Sequence, residues 1–357
     1  MHLFLSVFME EKVAFITGLN GQDGSYLAEL LLEKDYYVYG IVRRTSTINT
    51  KRIDLMYNHP KFKFFYGDMT DTSSLQNRLY DITSKHANLS RLEIYNLAAQ
   101  SHVKVSFEIP EYTCQVNAIG TLNLLESLKN LPISRDKIRF YQACTSEMYG
   151  EVKTNDSMNE TTFFNPVSPY AISKHMAYQF VKMYRDAYNL FACNGILFNH
   201  ESGRRGETFV TRKVIIGVQN IINGNQKSIE LGNLNSVRDW GHAKDYVYGM
   251  WLMLQAEHPK DYVLGTGETH TVKEFVELAF LYNGINIKWN GNGEDEVGID
   301  TDGNVRVTIH PRYFRPLEVS YLKADSSKAR NELGWVPNYT FNELIKEMID
   351  EEKEHYK

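Results

Sequence analysis

The sequence predicts an α/β fold, a Rossmann-type doubly wound parallel sheet with a smaller C-terminal α/β substrate domain. Three observations carry that expectation. Apolar Val13-Ala14-Phe15-Ile16 runs into Gly18-x-x-Gly21-x-x-Gly24 and then into helix-like Tyr26–Leu32. Strand and helix patterns then alternate up to about residue 200, the order that builds a parallel sheet. A helix opening on Pro169-Tyr170-Ala171-Ile172-Ser173-Lys174 follows a strand that ends in Thr145-Ser146-Glu147.

In chain order, the glycine turn comes first. Gly18 and Gly21 carry no Cβ, so the backbone can turn sharply and approach a pyrophosphate. The helix behind them offers free N–H groups and a positive dipole end to that anion. Tyr36–Val42 is the second strand and ends in Arg43-Arg44. An acidic residue there would bind the ribose 2′-hydroxyl of NAD, whereas paired guanidiniums suit the 2′-phosphate of NADP, so NADP is the expected cofactor. Phe62–Tyr66 is the third strand, closed by Gly67-Asp68, and Asp68 can accept from an adenine amino group. Leu75–Ile82 reads as a helix and Ile94–Ala99 as the fourth strand, with small Ala98 and Ala99 at the edge where such sheets bind ligands. A long helix over Tyr112–Lys129 leads to the fifth strand, Arg139–Cys144.

The chemistry concentrates at the end of that strand. Tyr170 and Lys174 are four apart, hence one turn from each other on one helix face. A phenol is too weak an acid to serve as a base at neutral pH. A neighbouring ammonium and a positive nicotinamide ring favour the phenolate and lower its pKa. Cys193–Phe198 is the sixth strand, and Phe209–Lys213 starts a helix whose basic residues can meet a pyrophosphate. Asp245–Gln255 and Tyr262–Thr266 read as a helix and strand returning to the first domain. Residues 291–307, rich in Gly, Asp and Asn, read as a mobile loop, and Leu322–Leu333 and Phe341–Glu352 as closing helices.

Composition narrows the function classes. The net charge of −5 argues against a broad nucleic-acid-binding surface, so an anionic ligand needs a local group of Lys and Arg. The three cysteines, Cys114, Cys144 and Cys193, form no Cys-x-x-Cys pair. That points to a reducing compartment and away from a thiolate metal site, and no metal is expected. No apolar run reaches the length of a membrane span. Residues 1–8 are apolar without a basic n-region or cleavage site, and read as an N-terminal extension.

The glycine turn, the Thr-Ser strand end and Tyr-x-x-x-Lys resemble the extended short-chain dehydrogenase/reductase family. The blocks Gly18–Ala28, Ile41–Arg44, Tyr95–Val103, Asn194–Ser202 and Arg238–Val247 resemble, within it, the GDP-mannose 4,6-dehydratases, from Lys12 onward. Three departures bear on substrate fit. Gly203 stands where that family usually has Pro, Ala171-Ile172-Ser173 replaces smaller residues, and Leu317 and Ser320 alter the block around Arg315.

The resemblance implies Thr145, Glu147, Tyr170 and Lys174 as catalytic residues. It implies cofactor contacts from Gly18, Asn20, Gly21, Gln22, Asp23, Arg43, Arg44, Asp68, Met69, Leu97, Ala98, Ala99, Ser101, Tyr112, Lys174, His200 and Arg205. It implies substrate contacts from Ser146, Asn199, Val210, Lys213, Leu231, Gly232, Arg238, Arg315 and Glu318, the last accepting from guanine. The expected division is 9–200 for the NADP-binding domain, rejoined at about 240–266, and 201–357 mainly for the nucleotide sugar. The expected activity is conversion of GDP-mannose to GDP-4-keto-6-deoxymannose by a cytoplasmic homo-tetramer, with neither nucleic acid nor membrane as partner. The loop Arg44–Arg52 is expected to reach a neighbouring subunit. The alternatives are a dehydratase or bifunctional dehydratase/reductase on a related nucleotide sugar, and a non-catalytic NADP-sensing regulator. The Tyr/Lys pair with Glu147 argues against the regulator.

Overall fold

The computed structural model describes residues 10–151 and 156–354; the expected extension, 1–8, lies outside them. Buried Val13–Ile16 put β1 (Glu11–Thr17) at the heart of a sheet, since only a strand covered on both faces can be so uniformly apolar. With β2 (Tyr37–Val42), β3 (Phe62–Tyr66), β4 (Leu89–Asn96), β5 (Ile138–Thr145), β6 (Phe191–Leu197) and a late-returning strand, Tyr262–Leu264, it forms a seven-stranded parallel sheet. The first six strands lie in the order β6-β5-β4-β1-β2-β3, and the returning strand pairs outside β6. The order reverses between β1 and β4, the place where such sheets open a ligand crevice at their carboxyl edge.

Helices α1 (Gln22–Glu33), α2 (Thr72–Lys85), α3 (Val103–Glu108), α4 (Pro110–Cys114), α5 (Gly120–Lys129), α6 (Pro169–Tyr188), α7 (Val210–Ile222) and α8 (Ala243–Gln255) follow in chain order. Leu27 and Leu31 of α1 meet Tyr246, Met250 and Met253 of α8 on one face of the sheet. Leu75 and Leu79 of α2, Leu124 and Leu128 of α5, and Val181 and Tyr184 of α6 cover the other with Phe15, Ile94 and Phe140. Helix α6 starts sharply because Ser168 caps Ala171 N at 3.1 Å and Pro169 fills the first turn.

A third core lies beyond the sheet. There α7, α9 (Val272–Leu281), α10 (Ser327–Leu333) and α11 (Phe341–Glu354) are the last helices in order, and α7, α9 and α11 pack Val214, Ile215, Phe275, Phe280, Leu344 and Met348 together. A four-stranded sheet edges this core. It takes in the strands Lys288–Asn290, Val297–Ile299, Val305–Ile309 and Ile229–Leu231.

Several expectations change. Residues 291–307 are not a loop, because two of those strands pair across a tight turn. Asp300 Oδ1 accepts from Asp302 N at 3.0 Å and Asn304 N at 2.8 Å, and Val307 is fully buried. The fourth strand ends at Asn96, so Leu97–Ala99 form the loop beyond it. The helix expected over Tyr112–Lys129 is interrupted by a π-helical turn, Gln115–Ile119. The closing helix expected from Leu322 starts at Ser327.

Candidate active site

The glycine turn fits a dinucleotide by what it excludes. Gly18 sits at φ +71°, and a Cβ there would lie 2.9 Å from Ala98 N. A Cβ at Gly24 would lie 2.3 Å from Gly18 O. Among the described residues no side chain caps Gly21, so the first N–H groups of α1 remain available to a phosphate. Thr17 Oγ1 donates to Asn96 Oδ1 at 2.7 Å and accepts from Leu97 N and Ala98 N at 3.0 Å each, which fixes the neighbouring loop against the turn. Asp23 and His200 meet at 2.8 Å, and Gln22 Nε2 reaches His200 O at 3.1 Å. Burial works against both charges, yet the His200 charge holds the Asp23 carboxyl below its usual value and Asp23 holds His200 above its own.

At the end of β5, Thr145 and Glu147 are each 8% exposed, and Thr145 Oγ1 accepts from Glu147 N at 3.2 Å. Tyr170 and Lys174 stand opposite on α6. Lys174 Nζ donates to Ala143 O at 2.8 Å, and burial pushes this ammonium down to about 8. The expected lowering of Tyr170 is corrected. Burial pushes its hydroxyl up to about 12, with the Glu147 charge adding to the rise and the Thr145 hydroxyl and Arg205 opposing it. Lys174 does not supply the lowering here, because its ammonium is directed to a backbone carbonyl.

The π-helical turn supports this edge. It presents Asn117, whose Nδ2 donates to Ser173 Oγ at 3.0 Å and to Gln100 O at 3.1 Å. Ser106 Oγ accepts from Tyr170 N at 3.1 Å. Both residues were missed by sequence reasoning, because their partners lie 17 to 64 residues away in the chain.

A cavity of about 1000 Å³ runs from this edge toward the C-terminal core. It gathers Asp23, Leu97, Ala99, Ser101, His200 and Arg205 with the four catalytic candidates, and beyond them Ser146, Asn199, Val210, Lys213, Leu231, Gly232, Arg238, Arg315 and Glu318. Arg315 lies 3.4 Å from Glu147 and 3.8 Å from Glu318, and Arg238 lies 3.6 Å from Glu318. Glu318 thus faces the cations beside Glu147. Arg238 is 5% exposed and donates to Val319 O at 2.7 Å, so it anchors the chain next to Glu318. Tyr313 and Arg312, also missed, close the far end: Lys213 Nζ sits 3.4 Å from the Tyr313 ring centre, and Arg312 pairs with Glu230. Arg212, expected to face the pyrophosphate with Lys213, is turned away and paired with Glu352 of α11. The same helix seats Glu351 on Gly203, where a Cβ would fall 1.6 Å from its Oε2.

The remaining cofactor candidates lie outside this cavity. Arg43 donates to the Tyr112 hydroxyl, and Arg44 donates to Thr45 O and lies 5.4 Å from the Tyr66 ring centre. Asn20 Nδ2 donates to Asn49 O at 2.9 Å. Asp68 Oδ1 accepts from Thr70 N at 2.9 Å, and Met69 is buried against Gly120.

A family model for GDP-mannose 4,6 dehydratase matches residues 15–348. A GDP-mannose 4,6 dehydratase of Drosophila melanogaster is 55% identical over 347 residues, 95% of this chain and 85% of that one. Its Homo sapiens counterpart is 50% identical, over 95% of this chain and 90% of its own. Among solved structures, a Thermus thermophilus UDP-glucose 4-epimerase in complex with NAD matches at TM-score 0.78 and 23% identity, covering 96% of this chain and 99% of its own. A Bacillus anthracis dTDP-glucose 4,6-dehydratase, also in complex with NAD, matches at TM-score 0.77 and 22% identity, covering 96% and 97%. The expectation of NADP is corrected on this finding: these neighbours hold NAD.

Proposed function

The chain belongs to the GDP-mannose 4,6-dehydratase family, and from that premise we propose how its residues divide the reaction among themselves. The protein is an enzyme, a lyase that converts GDP-mannose to GDP-4-keto-6-deoxymannose by internal oxidation at C4, loss of water across C5 and C6, and reduction at C6. A nicotinamide dinucleotide, when bound, supplies the hydride acceptor for C4 and the donor for C6.

Tyr170 takes the proton of the C4 hydroxyl, and Thr145 donates to O4 and orients the sugar. Lys174 holds the nicotinamide ribose, and a positive nicotinamide ring, when bound, would favour the Tyr170 phenolate. The 4-keto group acidifies the C5 hydrogen. Glu147 removes that proton and returns one to the departing C6 hydroxyl, so that water leaves. Ser146 and Asn199 line the sugar; Val210, Lys213, Leu231, Gly232, Arg238, Arg315 and Glu318 serve the nucleotide. The observation that carries this reading is the convergence of Thr145, Glu147, Tyr170 and Lys174 on one cavity. Residues 9–200 with 240–266 serve the dinucleotide and 201–357 mainly the nucleotide sugar.

The decisive experiment is Glu147→Gln with GDP-mannose. It should build up bound reduced dinucleotide, seen by its absorbance, while releasing almost no keto-deoxy sugar. Full turnover in this variant would refute the role. The working assembly is a cytoplasmic homo-tetramer, a dimer of dimers whose second contact is the exposed segment Arg44–Arg52. Ile48, 82% exposed there, supports this. Sedimentation of a monomer at micromolar concentration with dinucleotide present would exclude it. Among the described residues no helix is long and apolar enough to cross a membrane.

A further inference from the structure

The cavity has to accept a diphosphate, yet its arginines are already committed to carboxylates. Arg205 pairs with Glu201 at 3.0 Å and Arg312 with Glu230. Arg238 faces Glu318, and three backbone carbonyls, those of Val237, Val319 and Ser320, also accept from it. Arg315 differs. Its side chain is 26% exposed, and it is held by Glu147 at 3.4 Å and Glu318 at 3.8 Å, both long for charge-assisted contacts. A diphosphate entering this space competes with those carboxylates for a guanidinium, and Arg315 is the one held neither by a short ion pair, as Arg205 and Arg312 are, nor by backbone carbonyls, as Arg238 is.

We propose that Arg315 is a shared group, bound to Glu147 in the free enzyme and passed to the diphosphate when the nucleotide sugar binds. The proposal rests on the nucleotide-sugar reading above and deepens it. It makes Arg315 a positioning residue: the carboxylate that must accept the C5 proton is released from its counter-ion only once the nucleotide is seated. Binding of the remote diphosphate and readiness of the acid–base group are then one equilibrium, and by linkage each must act on the other.

Linkage supplies the test. GDP, which lacks the sugar, is titrated by calorimetry into the wild type, Glu147→Gln, Arg315→Gln and the double variant, each checked by thermal melting. With Glu147 neutral, Arg315 loses the nearer of its two carboxylates beforehand and keeps only Glu318 at 3.8 Å, so GDP should bind Glu147→Gln about five- to tenfold more tightly than the wild type. The gain should vanish between Arg315→Gln and the double variant. Arg315→Lys, which keeps the charge but loses the fork, should retain part of it. Equal GDP affinity of wild type and Glu147→Gln overturns the sharing while leaving the reaction assignment standing. A gain that persists without Arg315 also overturns it, since it would reflect only the loss of a negative charge. A wild type that fails to bind GDP at all overturns both the proposal and the nucleotide-sugar reading.

Discussion

The two ends of the active cavity are held by different forces. At the sheet edge, buried neutral hydrogen bonds fix the groups: Thr17 to Asn96, Asn96 Nδ2 to Gln142 at 2.7 Å and to Thr121 at 3.0 Å, and Asn117 to Ser173. At the nucleotide end, ion pairs dominate, from Glu147 through Arg315 and Glu318 to Arg238 and from Arg312 to Glu230. A neutral network in a low-dielectric interior holds one geometry, and each unmet partner is costly. Ion pairs near water can exchange partners at little cost. Tyr170 and Lys174 therefore sit beside the first kind of scaffold, and Glu147 stands where the two meet.

The comparison is broken most directly at its sheet end. Tyr170→Phe should lower kcat by about 10³-fold or more while changing the KM for GDP-mannose little, because it removes a proton acceptor and no binding charge. A kcat within tenfold of wild type, measured by product NMR, would place the base elsewhere. At the other end, Arg238→Gln should raise KM and destabilise the fold by about 3 kcal/mol, since Glu318 and the carbonyls of Val319 and Ser320 lose their donor. Calorimetric unfolding within about 1 kcal/mol of wild type would show that the chain next to Glu318 does not depend on it.

Legibility followed the same divide. The glycine turn, β3 and the Tyr170–Lys174 pair were readable because each lies within one short stretch whose spacing states its geometry. The strands over 297–309 were not, because three-to-five-residue strands among Gly291, Gly293 and Gly303, all at positive φ, have the composition of a loop. Helix α9 was passed over despite its capping box at Thr271 and Glu274. The partners of Arg43 and Arg312, Tyr112 and Glu230, lie 69 and 82 residues away, and no local pattern announces them. The Tyr170 shift was misjudged for a related reason: burial depends on the whole fold, whereas the neighbouring lysine is visible in the sequence.

Smaller effects sharpen the contrast. Gly24→Ala should cost about 2 kcal/mol of stability and weaken dinucleotide binding, because its Cβ meets backbone at Gly18 and Leu19 and not a movable side chain. Unchanged melting and unchanged dinucleotide titration would show that the turn can relax. Last comes the Asp23–His200 pair, a charged contact at the sheet edge. Asp23 is held below 3.8 and His200 above 6.5. Stability from Asp23 is present above 3.8 and lost as pH falls through its lowered value. Stability from His200 is present below 6.5 and lost as pH rises through its raised value. His200→Gln should therefore cost about 1 kcal/mol near pH 6 and progressively less in alkali. A deficit that grew with pH would contradict the pairing.

The seat of Glu351 on Gly203 reaches beyond this molecule. The loop bearing His200 and Arg205 and the last helix of the chain are fitted to each other at a point where no side chain can be added to the loop unless the Glu351 side chain moves. Proline at 203 would need a shorter residue or another rotamer at 351. Swapping C-terminal helices between family members should therefore disturb the fold least when position 203 travels with them, although the two positions lie 148 residues apart.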